Sequence, residues 1–129
     1  MDKNELQERM TVFAVRIVKM VDAMPQTVAG MAIGRQIVRS GTSPSANYRA
    51  ACIAKSDKDF VNKLKMVEEE LDETCHWLDI ITRSGIMKAS RLESLSQECK
   101  ELLSIIVKSI VTTKARMKAY EIRKNRNST

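Results

Sequence analysis

The chain has 129 residues and a mass of 14.6 kDa, enough for one domain around one hydrophobic core. Hydrophobic residues make up 43% of it and aromatics only 4%, with eight methionines and four glycines; this excludes a disordered chain and favours helices over sheets. The net charge of +6 is uneven: residues 114–126 carry six basic side chains and one acid, Glu121, which leaves the remainder nearly neutral.

Helix 1 is predicted from about Glu5 to Met24, stopped by Pro25. Leu6, Met10, Phe13, Ile17, Met20 and Met24 recur at the three-and-four spacing of one helical face. Val12, Val15, Val18 and Val21 widen that face beyond a single seam. Helix 2 is predicted over about Thr27 to Lys55, kinked or broken near Pro44. Proline lacks the amide and crowds the preceding turn. One segment could end near Ser40 and a second restart with Ser43 as N-cap; a kinked continuous helix is the alternative. Gly30 and Gly34, four apart, would let a neighbouring helix come close.

Helix 3 opens on a capping-box pattern, Ser56 and Asp59, and Gly85 supplies its stop. Its seam is Phe60, Leu64, Val67, Leu71, Thr74 or Cys75, Leu78 and Ile81. Helix 4 is expected to start on a second capping box, Ser90 and Glu93. Its seam is Leu92, Leu95, Cys99, Leu102, Ile106, Ile110, Thr113 and Met117, broadened by Leu103, Ile105, Val107 and Val111. Short connections force neighbouring helices antiparallel. The expected architecture is an all-α, antiparallel up-down four-helix bundle over residues 1–120, followed by a basic tail, 121–129, expected to be disordered.

No segment approaches the roughly 20 apolar residues of a membrane-spanning helix, and the polar start Met1–Glu5 is unlike a signal peptide, so the chain is read as cytoplasmic. Three widely spaced cysteines, Cys52, Cys75 and Cys99, argue against a disulfide framework in a reducing compartment. Asn127-Ser128-Thr129 spells a glycosylation acceptor, without weight in a chain that is not exported.

Catalytic chemistry finds little to work with. The one histidine, His76, stands between Cys75 and Trp77, and adjacent helical residues point about 100° apart, so no Cys–His pair forms. No close cysteine pair suits zinc. Glu73-Thr74-Cys75-His76 matches the Glu-x-x-His of di-iron bundles once, where two copies are needed. A glycine-rich phosphate loop is lacking too. The reading is a protein that is not an enzyme, with no cofactor, no metal and no catalytic residue.

Association is the better-supported theme. The apolar circumference of helices 1 and 4 exceeds what a solitary bundle hides. Either the core is unusually wide or Val12, Val15, Val18, Leu103 and Val107 form a subunit interface. Trp77, off the main seam of helix 3, is either half-buried core or an interface anchor. Residues 28–56 hold Arg35, Arg39, Arg49 and Lys55 and no acid, whereas 57–84 are dominated by Glu68, Glu69, Glu70, Asp72 and Glu73; these opposite charges can pair within one subunit or steer one subunit onto another. The basic run Lys114, Arg116, Lys118, Arg123, Lys124 and Arg126 either complements the helix macrodipole or contacts phosphates.

The segment Arg39-Ser40-Gly41-Thr42-Ser43-Pro44-Ser45-Ala46-Asn47-Tyr48-Arg49-Ala50-Ala51, with Lys55-Ser56-Asp57-Lys58-Asp59-Phe60 and the stretch from Glu68 to Leu78, resembles the bacterial four-helix bundle family of 23S rRNA intervening-sequence, or S23-like, proteins. The resemblance spans about Leu6 to Lys118. It implies an up-down bundle assembled as a ring, typically a pentamer, without a known catalytic centre. It also implies kinship with the accessory variability proteins of diversity-generating retroelements, which bind a reverse transcriptase and nucleic acid through a basic surface. Ser43, Pro44 and Asn47 match the family motif and are read as structural. Ala50 stands where many members carry an acid, so a charge contact made there by relatives is not expected here.

Together these readings predict a homo-oligomeric, pentameric, nucleic-acid-binding accessory protein. Binding would use Arg35, Arg39, Arg49 and the basic end of helix 4. The rival is a protein scaffold, for example for a reverse transcriptase, with no nucleic-acid binding of its own.

Overall fold

The computed structural model describes residues 1–128. It contains four helices, α1 Lys3–Asp22, α2 Val28–Cys52, α3 Asp57–Ser84 and α4 Ala89–Asn127, and no strand among the described residues. Each helix packs on the next in sequence, and the α1–α4 side is the most open of the four. Bonded pairs run in opposite directions along neighbouring helices. Arg9 reaches Glu98 and Glu101 while Arg16 reaches Ser94; Asp57 meets Arg116 while Cys75 meets Cys99.

The predicted seams supply the core. The five predicted seam positions within α1, and Met24 in the following turn, are buried, as are Leu64, Val67, Leu71, Leu78 and Ile81 of α3 and Leu92 through Thr113 of the α4 seam. One position shifts: Val61, not Phe60, enters the core. Phe60 stays at the rim, where the Lys3 ammonium lies 4.8 Å from its ring centroid, a cation–π contact between the starts of two helices.

The caps separate two outcomes. Ser56 caps α3 as expected, accepting from the Asp59 amide at 3.1 Å, and Gly85 ends that helix in the left-handed region at φ 73°. Ser90 does not cap α4: the helix begins at Ala89, after Lys88, with no side-chain cap bond. Asp2 caps α1, accepting from the Glu5 amide at 2.8 Å, so α1 starts two residues before the predicted boundary.

Helix 2 is continuous through Pro44, which decides against the broken form of the two alternatives. Ser43 is no cap; its hydroxyl lies inside the helix and accepts from Asn47 Nδ2 at 2.9 Å. The hydroxyls of Thr42 and Ser45 bond the carbonyls of Val38 and Arg39, and of Thr42, respectively. Side-chain oxygens thus compete for the backbone in the turn where proline removes a donor, and burial of Pro44 and Tyr48 holds the helix together across it. Helix 4 differs as well. It stays helical through Asn127, into the segment 121–129 expected to be disordered, with every residue from 118 to 128 exposed. Lys124 and Arg126 in its last turn favour that end through the macrodipole. Thr129, and with it the third residue of the glycosylation acceptor, lies outside the described residues.

Close approach of α1 to α2 occurs at Gly41. A Cβ there would lie 2.8 Å from Ile17 carbons, whereas one on Gly34 would sit 3.4 Å from Val21. Gly34 therefore tolerates a side chain and Gly41 does not, a distinction that sequence spacing alone hides. On the opposite flank of the same turn, the Thr74 hydroxyl bonds the Ser40 hydroxyl at 2.9 Å in a fully buried contact between α3 and α2.

Two outcomes follow from this packing. Gly41→Ala is expected to lower stability by about 1–3 kcal/mol through overpacking against Ile17, while Gly34→Ala is neutral or stabilising by up to about 1 kcal/mol from helix propensity; urea unfolding of the two variants checks the opposite signs. On the open side, the Arg9 guanidinium hydrogen-bonds Glu98 and holds its carboxyl below the usual range, against the opposing effect of burial. A depressed carboxylate stabilises the fold above its unfolded pKa, and that gain vanishes as pH falls through the folded value. The stability difference between wild type and Glu98→Gln should accordingly be widest near neutrality and shrink below about pH 4, as acid titrations of both proteins would show.

Candidate nucleic-acid and assembly surfaces

The nine basic residues singled out from the sequence fall into three places. Arg35 lines a groove between the end of α1 and the start of α2, beside Val21, Pro25 and Met31. Arg39 stands mid-bundle, where its guanidinium bonds Glu70 at 3.0 Å and also Glu73; Glu73 in turn accepts from the Trp77 indole at 3.1 Å. Charge pairing between α2 and α3 is thus made inside one subunit, and Arg39 is committed to it.

Arg49 and the six cations of α4 lie at the other end. Arg35 and Arg49 are 14 residues apart on one helix, roughly 21 Å along its axis. Arg116 bonds Asp57, the first residue of α3, at 3.0 Å. Residues of α4 beyond the half-buried Met117 therefore project past the bundle, carrying Lys118, Arg123, Lys124 and Arg126, by about 15 Å of helix. Lys114, Lys118, Arg123 and Lys124 are exposed.

The starts of α1 and α3, the end of α2 and part of α4 surround a pocket of about 590 Å³ whose lining includes Lys3, Tyr48, Lys55, Lys108 and Arg116. Burial pushes the Tyr48 phenol up, with Cys52 adding to the effect. Asp2 and Asp57 are the acids of this lining, one capping α1 and the other bonded to Arg116. Lys3, Lys55 and Lys108 enlarge the basic pole and escaped the sequence reading as site residues. They are dispersed along the chain and converge only when the start of α1, the end of α2 and the middle of α4 are packed together.

The apolar residues proposed for assembly divide in a similar way. Val12, Val15 and Val18 are 48%, 47% and 40% exposed on α1, and Val107 is 40% exposed on α4; Leu103 and Trp77 are half-buried against the core. Helix 3 meets α2 through Glu70, Glu73 and Thr74 and meets α4 through Leu71 and Cys75. Trp77, bonded to Glu73, lies on the α2 side of α3. Leu103 and Val107 follow Cys99 at four and eight residues, on the α3 side of α4. The α1 valines and the α4 pair therefore occupy different faces of the bundle.

His76 is exposed, edge-on to Trp77 with ring centroids 5.1 Å apart. Among the described residues no group of three or more His, Cys, Asp or Glu side chains converges to hold a metal, and no helix is long and apolar enough to cross a membrane.

Fold and surface define an all-α bundle of four helices with a cationic pole. The model of the 23S rRNA-intervening sequence protein family matches residues 2–108, and the chain belongs to that family. A crystal structure of a protein from Bacteroides thetaiotaomicron, described as of unknown function and from the S23 ribosomal protein family, is 33% identical with a TM-score of 0.79; the match covers 85% of this chain and 98% of the other. No curated protein matches the chain.

The matched region ends at residue 108, so the family model leaves out the last part of α4, where six of the nine predicted phosphate contacts lie. Arg39, Arg49 and the Ser43, Pro44 and Asn47 motif fall inside it.

Proposed function

We propose that this protein is a non-enzymatic, ring-forming homo-oligomer, a pentamer by family resemblance, that binds nucleic acid as a cytoplasmic accessory factor. The observation that carries the proposal is the basic pole: α4 projects beyond the bundle as a solvated helix bearing Lys118, Arg123, Lys124 and Arg126, beside Lys3, Lys55 and Lys108. A helix that leaves its own core gains nothing from packing there, and its cations face outward where phosphates can reach them. Repetition of this pole around a ring axis would multiply weak contacts into useful affinity. The family's own name, which refers to an intervening sequence of 23S rRNA, makes RNA the first ligand to test.

The apolar strips support the ring. Closed rings other than isologous dimers use heterologous interfaces, in which one patch meets a different patch on the next subunit. Exposed valines on α1 and a separate Leu103–Val107 strip on α4 offer such a pair. Arg39 drops out of the binding surface in this reading because its charge is spent on Glu70 and Glu73.

Binding of a single-stranded RNA should weaken with salt at a slope near −0.7 per phosphate contacted. Arg123→Gln with Lys124→Gln should reduce that slope by about 1.4, while Arg39→Gln leaves it nearly unchanged. An absence of binding at low salt by fluorescence anisotropy would reject the nucleic-acid reading and favour a protein scaffold. For assembly, Val15→Asp and Val107→Asp should each abolish the ring. Mixed together they should yield a dimer and nothing larger, since each retains one intact face; light scattering distinguishes this from symmetric interfaces, for which a variant alone still dimerises through its unaltered face.

A further inference from the structure

The strongest unassigned feature is a pair of thiols. Cys75 on α3 and Cys99 on α4 have their sulfurs 2.9 Å apart, and both are free. Ordinary non-bonded heavy atoms sit about 3.5–4.0 Å apart, and a disulfide bond is about 2.05 Å, so the pair stands well inside normal packing distance. Both residues belong to rigid helices in the middle of the bundle, held on each side by buried neighbours, Leu71 and Thr74 on α3 and Leu95 and Leu102 on α4. The two helices already hold the sulfurs side by side, and joining them closes a gap of about 0.9 Å.

Their environments differ in the way a two-step oxidation requires. Cys99 is fully buried, and its thiol can bond the Leu71 carbonyl at 3.4 Å. Cys75 is half-buried and opens onto a surface pocket of about 520 Å³ whose lining includes Asp79, Thr82, Ser96, Gln97 and Lys100. The hydrogen bond shared with Cys99 draws the Cys75 thiol down from its ordinary value, with Lys100 assisting and burial and Asp72 opposing; Cys99 is driven up by the same bond and by burial. The sulfur that a small solute can reach is therefore also the better thiolate. Cys52, the third cysteine, lies at the end of α2, next to the pole where α3 begins. It is roughly 25 Å along the bundle axis from Cys75, too far to exchange with the pair.

We propose that Cys75 and Cys99 form a reversible dithiol–disulfide site, oxidised by a hydroperoxide that enters through the Cys75 pocket. In the first step the Cys75 thiolate attacks a peroxide oxygen; the O–O bond breaks, hydroxide leaves and takes up a proton to become water, and Cys75 becomes a sulfenic acid. In the second step the Cys99 sulfur attacks the Cys75 sulfur, the S–O bond breaks, and the departing hydroxide leaves as water with the proton of Cys99. Two thiols and one hydrogen peroxide give one disulfide and two waters. Exchange with a dithiol reductant reverses the change. The bond closes a short loop through the α3–α4 turn and ties together covalently two helices that otherwise meet at this level through packing and the weak Cys99–Leu71 contact. Both partners belong to one chain, so the site operates whether or not the protein assembles.

The test is hydrogen peroxide added to the folded, full-length protein, followed by alkylation of remaining thiols and peptide mapping. The expected result is loss of two hydrogens from the intact mass, a Cys75–Cys99 linked peptide within one chain and Cys52 as the remaining alkylatable cysteine. Dithiothreitol should restore all three thiols. Cys52→Ser should behave as wild type. In Cys99→Ala, dimedone should trap a sulfenic acid on Cys75; if that buried replacement unfolds the chain, the wild-type peptide map still decides. The oxidised protein should melt several degrees above the reduced one, because the link restrains the unfolded chain. Three alkylatable thiols after peroxide, oxidation of Cys52 ahead of the pair, or links only between chains would each overturn the proposal.

Discussion

One turn of α2 sets the geometry of the bundle. At Ser40 and Gly41 two small residues face opposite neighbours: Gly41 lets Ile17 of α1 lie against bare backbone, and the Ser40 hydroxyl meets the Thr74 hydroxyl of α3. A larger residue at either position would push a helix away, because a close-packed interior cannot absorb even a methylene without displacement. Helix 2 thereby becomes the strut on which α1 and α3 are both registered. The same constraint explains why Pro44 is tolerated one turn later. A helix clamped on both sides loses little by giving up one backbone bond, and nearby serine and threonine hydroxyls occupy the carbonyls around it.

Because α1 is referred to α2, it is only loosely tied to α4. The open side is bridged by charge instead: Arg9 clasps Glu98 and Glu101, and Arg16 reaches Ser94. Such half-exposed pairs contribute modestly to stability, yet they orient two helices whose remaining surfaces are apolar. The result is a bundle that buries its principal seam and still leaves Val12, Val15, Val18 and Val107 in solvent. These exposed strips are the surfaces that the proposed assembly would cover, and their place on two different faces is what the ring proposal rests on.

The cationic pole has a related origin. Helix 4 has 39 residues and α3 has 28, so once Arg116 is fastened to Asp57 the excess length must leave the bundle. Lys118, Arg123 and Lys124 are exposed there, while the acidic face of α3 is partly neutralised by Arg39. The dithiol lies in the other half of the molecule, nearer the α3–α4 turn, and so is separable from the charged pole in both position and chemistry.

Much of this was legible from residue spacing. Helix number, the seams of α1 and α4, the Ser56 cap and the Gly85 stop all depend on local periodicity and local hydrogen bonding, which a sequence states directly. The family resemblance, too, was carried by short contiguous segments, 39–51, 55–60 and 68–78. What packing alone decided is different in kind. Whether Pro44 breaks a helix depends on its burial; which glycine is indispensable depends on which neighbour lies over it; whether Arg39 is free depends on where Glu70 and Glu73 end up. The convergence of Lys3, Lys55 and Lys108, the separation of the apolar strips, and the meeting of Cys75 with Cys99 across 24 residues of sequence are all distances between helices. Sequence order specifies the turn each side chain occupies on its own helix, but the rotation and offset of one helix against another come from the sum of many small contacts, and only the folded chain adds them up.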